Sequence, residues 1–320
     1  VPEPASKAML ADGNPGLKPT LVLFPGALGD AVCFEPTLDA LAAGGPVVLY
    51  ARGAAASVAR LFPARPVVRS LDAPEVAALF SPSGDVAGAK PDPAVDWLTG
   101  FGRIASFTGS GEPGARGRLE ACGARVSAFP RRPEGVHLCD AFLRAATGEA
   151  RATARAPRVD CPGAVGDDRT RSPGALPLLL IHPGAGAAAR RAPFELLAGI
   201  AARWRRCGGD VGVAIGPADG GLAGAWVERG IRVVEPSDAV SLAETLAGAT
   251  AFLGNDSGPS HLAAALGIPG VALFRASDPA LFAPRADHFG WVRLDAGASV
   301  AERVWGALNR TVLDSPGGRH

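Results

Sequence analysis

The stretch over residues 251–274, AFLGNDSGPSHLAAALGIPGVALF, restricts the fold more than any other part of the chain. An apolar run, Ala251–Leu253, stops at Gly254, and a polar turn follows from Asn255 to His261. Small residues then predict a helix over Leu262–Leu266. A Gly-Ile-Pro-Gly turn ends it, and a second apolar run covers Val271–Phe274. Strand, polar loop, helix and strand in so short a span is the pattern of a parallel α/β sheet. It gathers polar groups at the carboxyl end of a strand and the amino end of a helix. Parallel α/β sheets take their ligands there, and helix N–H groups can receive an anion there.

The same alternation occurs twice along the 320 residues, enough for two medium domains. In the first series Thr20–Phe24 and Val47–Tyr50 read as strands. The loop Pro25–Asp30 and an apolar-periodic segment to Ala43 lie between them, and Val136–Thr147 reads as a helix. In the second series Leu178–Ile181, Val211–Ile215 and Ile231–Glu235 read as strands. Phe194–Cys207, Leu222–Arg229, Leu242–Ala247 and Val300–Val312 read as helices. Residues 149–175 are polar, rich in Pro and Gly, and without periodicity. The expected organisation is therefore a domain over 19–150, a linker over 151–175 and a domain over 176–320, after a loose tail over 1–18. Two such domains would form a cleft between their strand ends, a favoured place for a small-molecule site.

Composition narrows the class. A formal net charge of +1 and short, scattered arginine clusters give no basic face, which argues against nucleic acid as a partner. Five cysteines, widely spaced and without a CxxC pair, point to free thiols in a reducing cytoplasm. The first residues carry no apolar leader region, and no apolar run is long enough to span a bilayer. The expectation is a soluble, cytoplasmic protein, with a peripheral membrane role left open. Five histidines without paired spacing predict no metal site.

Three loops carry candidate chemistry. In Gly26-Ala27-Leu28-Gly29-Asp30 the glycines allow a tight turn and room for a ligand. Locally, Asp30 reads first as an N-cap. G-x-G-x-x-G is absent, and no Gly-Lys-Ser/Thr follows, so neither the dinucleotide fingerprint nor the Walker loop applies. The loop His182-Pro183-Gly184-Ala185-Gly186, followed by Arg190-Arg191, suits close approach of a phosphate and a bidentate cation. An ordinary strand-to-helix loop explains it equally well. In the third loop Asp256 suits ligand hydroxyls or a cap, while Ser257, Gly258 and Ser260 offer donors to a diphosphate. Pro259 suits a first helical turn. His261 reads as a phosphate donor or as a histidine packed inside the turn.

Taken in order, PGALGDAVCFEPTLDAL, LLLIHPGAGAAARRAPFELLAGIAARW and LAGATAFLGNDSGPSHLAAALGIPGVALFRASDPALFAP together resemble glycosyltransferase family 9, the ADP-heptose:lipopolysaccharide heptosyltransferases. The resemblance is strong over 176–285, good over 20–43 and weak over 50–150. It implies a GT-B fold, with two Rossmann-like parallel-sheet domains facing across a cleft and the last helix free to pack back on the first domain. It implies inverting, metal-independent and cofactor-free transfer of a heptose from a nucleotide-sugar to a glycan or glycolipid acceptor, with peripheral contact at the cytoplasmic face of the inner membrane. The family's general base falls on Asp30, in an acceptor-side loop with Gly26, Leu28 and Gly29. Its donor loops fall on Gly184, Ala185 and Gly186 and on Asp256, Ser257, Gly258 and His261, and its basic residue falls on Arg190.

Three departures stand on the donor side. Arg190 replaces the usual Lys, Ala192 replaces a common Trp, and the acidic residue near the ribose has only Asp219 as a candidate. They keep three alternatives in view: a family-9-like transferase with another donor, a non-catalytic nucleotide-sugar-binding protein, and a GT-B epimerase or donor hydrolase.

Overall fold

A computed structural model describes residues 17–81, 92–131, 133–161, 176–295 and 299–313. Most of the expected tail (1–16) and the linker beyond Cys161 lie outside the described residues. Strands β1 (Thr20–Leu23), β2 (Val47–Ala51), β3 (Val67–Ser70), β4 (Arg103–Ser106) and β5 (Arg125–Val126) form one sheet, in the order β3-β2-β1-β4-β5. Strands β6 (Leu178–His182), β7 (Asp210–Ala214), β8 (Arg232–Val234), β9 (Ala251–Asn255), β10 (Gly270–Phe274) and β11 (Phe289–Arg293) form the second, in the order β11-β10-β9-β6-β7-β8. Every pairing is parallel. In each sheet the first strand of the series lies beside the fourth: Thr20 is opposite Arg103, and Leu179 opposite Ala251. The winding direction reverses there, and the crevice at such a point is where doubly wound sheets bind ligands. All three motif loops leave β1, β6 or β9, the strands that flank these two points.

Helices cover both faces of the sheets, so the central strands are almost wholly buried and read as continuous apolar runs. In the first domain they are α1 (Leu28–Ala42), α2 (Gly53–Ala59), α3 (Pro74–Leu79), α4 (Pro93–Leu98), α5 (Pro113–Ala121) and α6 (Leu138–Thr147). In the second they are α7 (Phe194–Arg206), α8 (Ala223–Val227), α9 (Ala239–Ala247), α10 (Gly258–Ala265), α11 (Pro279–Phe282) and α12 (Val300–Leu313). Phe24, Phe34, Phe107 and Phe142 stack or meet edge to face under α1 and α6. Each such buried ring contributes about 1.5–3 kcal/mol. An exposed ion pair such as Arg52–Asp72 contributes about 0–1 kcal/mol, so the aromatic core holds this domain.

Two helix starts differ from the sequence expectation. Helix α10 begins at Gly258 rather than Leu262, because Ser257 takes extended backbone (φ −160°, ψ 164°) as its N-cap and Pro259 sits in the first turn. Helix α9 begins at Ala239. There Asp238 accepts from the Ser241 N–H at 2.8 Å, and Ser241 Oγ accepts from the Asp238 N–H at 3.0 Å. Following apolar residues alone misses such a reciprocal cap. A third difference concerns the last helix. Val304, Trp305 and Leu308 of α12 pack into the core of the second sheet, in one cluster with Val271 and Leu273 of β10 and Val292 of β11.

The part of the linker that is described, 151–161, is a strap fastened to both domains. Arg155 donates to both oxygens of the fully buried Glu35 on α1, at 2.6 and 2.9 Å. The Val159 N–H donates to the Ala265 carbonyl at the end of α10, and the Asp160 N–H to the Leu61 carbonyl after α2. Across the domain boundary Arg285 donates to both Asp140 oxygens, at 2.8 and 2.9 Å. Helix α1 packs directly on α10. A Cβ on Gly258 would stand 2.9 Å from Leu28 Cβ, and one on Gly29 would stand 3.3 Å from Gly258 Cα.

Candidate active site

The loop after β1 turns at Gly26, where a Cβ would stand 2.5 Å from the Phe24 ring, so no larger residue fits. Ala27 is the N-cap of α1, and Asp30 is its N3 residue rather than the cap expected locally. Asp30 Oδ2 accepts from the Ala27 N–H at 2.9 Å, the acidic half of a capping box whose other half Ala27 cannot supply. Burial raises the pKa of Asp30 above the usual carboxylate range. The Ala27 N–H, Arg190 and Arg131 pull it down, and Asp256 pushes it up. Asp256 and Arg190 belong to the other domain, so the two halves of the molecule already act on one carboxyl group.

The loop after β6 is held from below. A Cβ on Gly184 would overlap the Asp219 carboxylate, and one on Gly186 would stand 2.8 Å from Arg190 Nη2. Asp219 is buried and accepts from Arg191 Nη2 at 3.0 Å, with His182 Nε2 4.0 Å away. Burial lowers the His182 pKa against the opposing pull of Asp219. Arg191 is therefore a half-buried cation beneath the loop, and Asp219 is committed to it.

A residue that sequence reasoning left unassigned ties this loop to the next one. Asn255, wholly buried at the end of β9, accepts from the Ala192 N–H at 2.8 Å. Its Nδ2 donates to the carbonyls of Pro183 and Gly184, at 2.8 and 3.1 Å. An Asn directly after an apolar strand was the available signal, since a buried amide must find such partners.

In the third loop Asp256 accepts a short hydrogen bond from Ser277 Oγ, a second residue the motifs did not single out. Arg190 Nη1 donates to the Asp256 carbonyl at 3.2 Å and stands 3.4 Å from its Oδ2. Ser257 Oγ and Ser260 Oγ both donate to the Asn255 carbonyl, at 3.3 and 2.6 Å. Ser260 is thus a wholly buried brace. The first turn of α10 lines the cleft, and a helix start leaves N–H groups without intrahelical acceptors. His261 is buried, its Nδ1 3.4 Å from Cys33 Sγ on α1, and burial drives its pKa down to about 4.

These groups converge on a cleft of about 940 Å³ between the two switch points. Leu28, Gly29, Asp30 and Arg131 line one wall. Ala185, Gly186, Arg190, Asp256, Ser257, Gly258, His261 and Ser277 line the other. Gly26 and Gly184 lie outside the lining and serve the loops that form it. A second cavity, about 860 Å³ between the end of α2 and the strap, contains none of the candidate site residues. Among the described residues no group of three or more His, Cys, Asp or Glu is placed to hold a metal ion. Nor is any helix there long and apolar enough to cross a membrane.

Residues 174–304 match the model of the family described as glycosyltransferase family 9 (heptosyltransferase). No curated protein sequence matches the chain. Among solved structures, a glycosyltransferase family 9 protein from Veillonella parvula superposes with a TM-score of 0.67 at 15% identity, over 93% of this chain and 98% of that one. The E. coli ADP-heptose lps heptosyltransferase II gives 0.67 at 18% identity, over 92% and 98%. The E. coli heptosyltransferase WaaC with ADP gives 0.67 at 13% identity, over 92% and 99%. At these identities the likeness establishes the fold, which is GT-B over nearly the whole chain.

Proposed function

We propose that this glycosyltransferase, whose residues 174–304 are a family 9 domain, moves a heptose or related sugar from a nucleotide-sugar to a glycan acceptor with inversion. The observation that carries the reading is the convergence of Asp30, from one domain, with Arg190, Asp256 and the start of α10, from the other, on one cleft. An acceptor hydroxyl attacks the anomeric carbon from the face opposite the diphosphate, and Asp30 takes its proton. The leaving diphosphate gains charge. Arg190, the N–H groups at the start of α10 and the hydrogen of His261 stabilise it. Asp256 binds a sugar hydroxyl, held in place by Ser277 and Arg190. Because these groups supply the charge stabilisation, the reaction is proposed to need neither metal nor cofactor, and full turnover in a chelator would agree with that.

ADP-heptose is the first donor to try, and a lipopolysaccharide-core glycan the first acceptor, by likeness to the E. coli enzyme. One observation favours a second reading with a different donor. Asp219 is tied to Arg191, and Ala192 replaces the bulky residue expected beside it, so the nucleotide end of the cleft departs most from the family pattern. The free cysteines suit a cytoplasmic site of action, at the inner face of the membrane if the acceptor is a glycolipid.

The test is incubation with ADP-heptose, ADP-glucose and UDP-sugars, with and without acceptor. Nucleoside diphosphate released only when acceptor is present supports transfer. Release without acceptor indicates a hydrolase, and binding without release indicates a binding protein.

A further inference from the structure

Helix α1 carries two polar side chains toward the second domain. Asp30 faces the cleft, and Cys33 lies three residues on, close to the same face of the helix. Cys33 is buried, with its Sγ 3.4 Å from Nδ1 of His261 on α10. The other edge of that imidazole faces the cleft: His261 Cδ2 stands 3.3 Å from where a Cβ on Gly29 would lie, and both residues line the cavity.

We propose that Cys33 is a positioning residue, whose thiol hydrogen is given to His261 Nδ1 across the domain boundary so that the imidazole keeps its hydrogen on Nε2, at the cleft. The role rests on the transferase reading above, in which that hydrogen meets the leaving diphosphate. An imidazole nitrogen is a strong acceptor and sulfur a weak one, so S–H to N is the better of the two arrangements. Both partners are neutral. The hydrogen bond with Cys139 and then burial push the Cys33 thiol up, and burial drives the His261 imidazole down; for the imidazole Asp256 opposes the shift, and His137 and Arg190 add to it. Cys139 shares a hydrogen bond with Cys33 from the α6 side and is the rival acceptor for the same thiol hydrogen: the bond raises Cys33 and, with His137, lowers the Cys139 thiol to about 6. The contact joins α1 to α10, so the hydrogen on His261 is set only when the domains are together.

Long-range ¹H–¹⁵N spectra of protein labelled on its histidines test this, with His261→Asn to assign the signal. The Nε2–H form is expected in the wild type and in Cys33→Ser, which keeps a donor. It should be lost in Cys33→Val, which has none. Cys33→Val should also bind the nucleotide-sugar about three- to tenfold more weakly, the equivalent of one neutral hydrogen bond, with Cys33→Ser close to wild type. Retention of the Nε2–H form in Cys33→Val, or equal affinity of the two variants, overturns the proposal. Absence of transfer with every nucleotide-sugar would strike the functional reading and leave the spectra standing.

Discussion

Arg190 Nη1 lies 3.2 Å from the Asp256 carbonyl oxygen and 3.4 Å from Oδ2 of the same residue, so the cation assigned to the diphosphate also holds the carboxylate assigned to the sugar. Removing Arg190 then has two effects on one ligand. Arg190→Ala loses a charge-assisted contact and leaves the buried Asp256 charge unopposed beside an incoming anion. Nucleotide-sugar affinity should fall about ten- to a hundredfold. Calorimetry with the donor checks this, and an unchanged dissociation constant would remove Arg190 from the phosphate site. Arg190→Lys keeps the charge without the fork, so it should recover part of the loss.

Asp30→Asn removes the proposed base and keeps an oxygen able to accept from the Ala27 N–H. Transfer should fall by roughly 10²-fold or more while donor binding survives. Because burial raises the Asp30 pKa, the acid limb of kcat/KM should lie above an ordinary aspartate near ~3.9. Stability moves the other way. A carboxyl group whose folded pKa is raised contributes stability below its unfolded pKa and loses it as pH rises through the folded value. At neutral pH the substitution therefore relieves a buried charge, and the Asp30→Asn protein should melt no lower than the wild type. Near-normal turnover with an active acceptor would refute the role.

Much of this was legible in the chain. The parallel architecture followed from apolar runs separated by small-residue helices, because strands buried on both faces leave no alternation to misread. The three loops were legible because glycine is required where backbone or side chains meet closely, as at Gly26 against Phe24. What stayed hidden depends on contacts distant in sequence. Nothing local to Arg191 says that it lies under the cleft against Asp219, 28 residues on. Nothing near Glu35 announces a partner in a segment that reads as linker. Following the small apolar residues puts the start of α10 at Leu262 rather than Gly258, although Pro259 already suits a first helical turn.

Glu35 and Arg155 offer a test of the strap that does not depend on catalysis. Glu35 is fully buried and accepts from Arg155 twice and from the Arg158 N–H at 2.9 Å. Removing the cation strands the carboxylate. Arg155→Ala should therefore destabilise the fold by about 3–5 kcal/mol at neutral pH. Burial already holds the Glu35 pKa above its usual range even with Arg155 present, so the loss should shrink as acid protonates the stranded group. Urea titrations at neutral and acidic pH measure both. An equal loss at the two values would mean that the effect is packing rather than charge.

Gly258→Ala tests whether the close approach of α1 and α10 matters for transfer rather than for folding alone. The added methyl would stand 2.9 Å from both Cβ and Cγ of Leu28, so one helix must move by a few tenths of an ångström. Overpacking of this kind costs about 1–3 kcal/mol. The helix that moves carries either Asp30 or the first turn of the donor helix, so the distance between base and donor changes whichever one yields. Nucleotide binding rests mainly on groups of the second domain and should weaken less than turnover, whereas kcat should drop by about an order of magnitude or more, since small misplacements of reacting groups are costly. Pairing Gly258→Ala with Leu28→Ala, which takes away the side chain that the methyl meets, should restore much of kcat. If the double variant is no better than Gly258→Ala, the glycine is needed for the ligand and not for the contact between the helices.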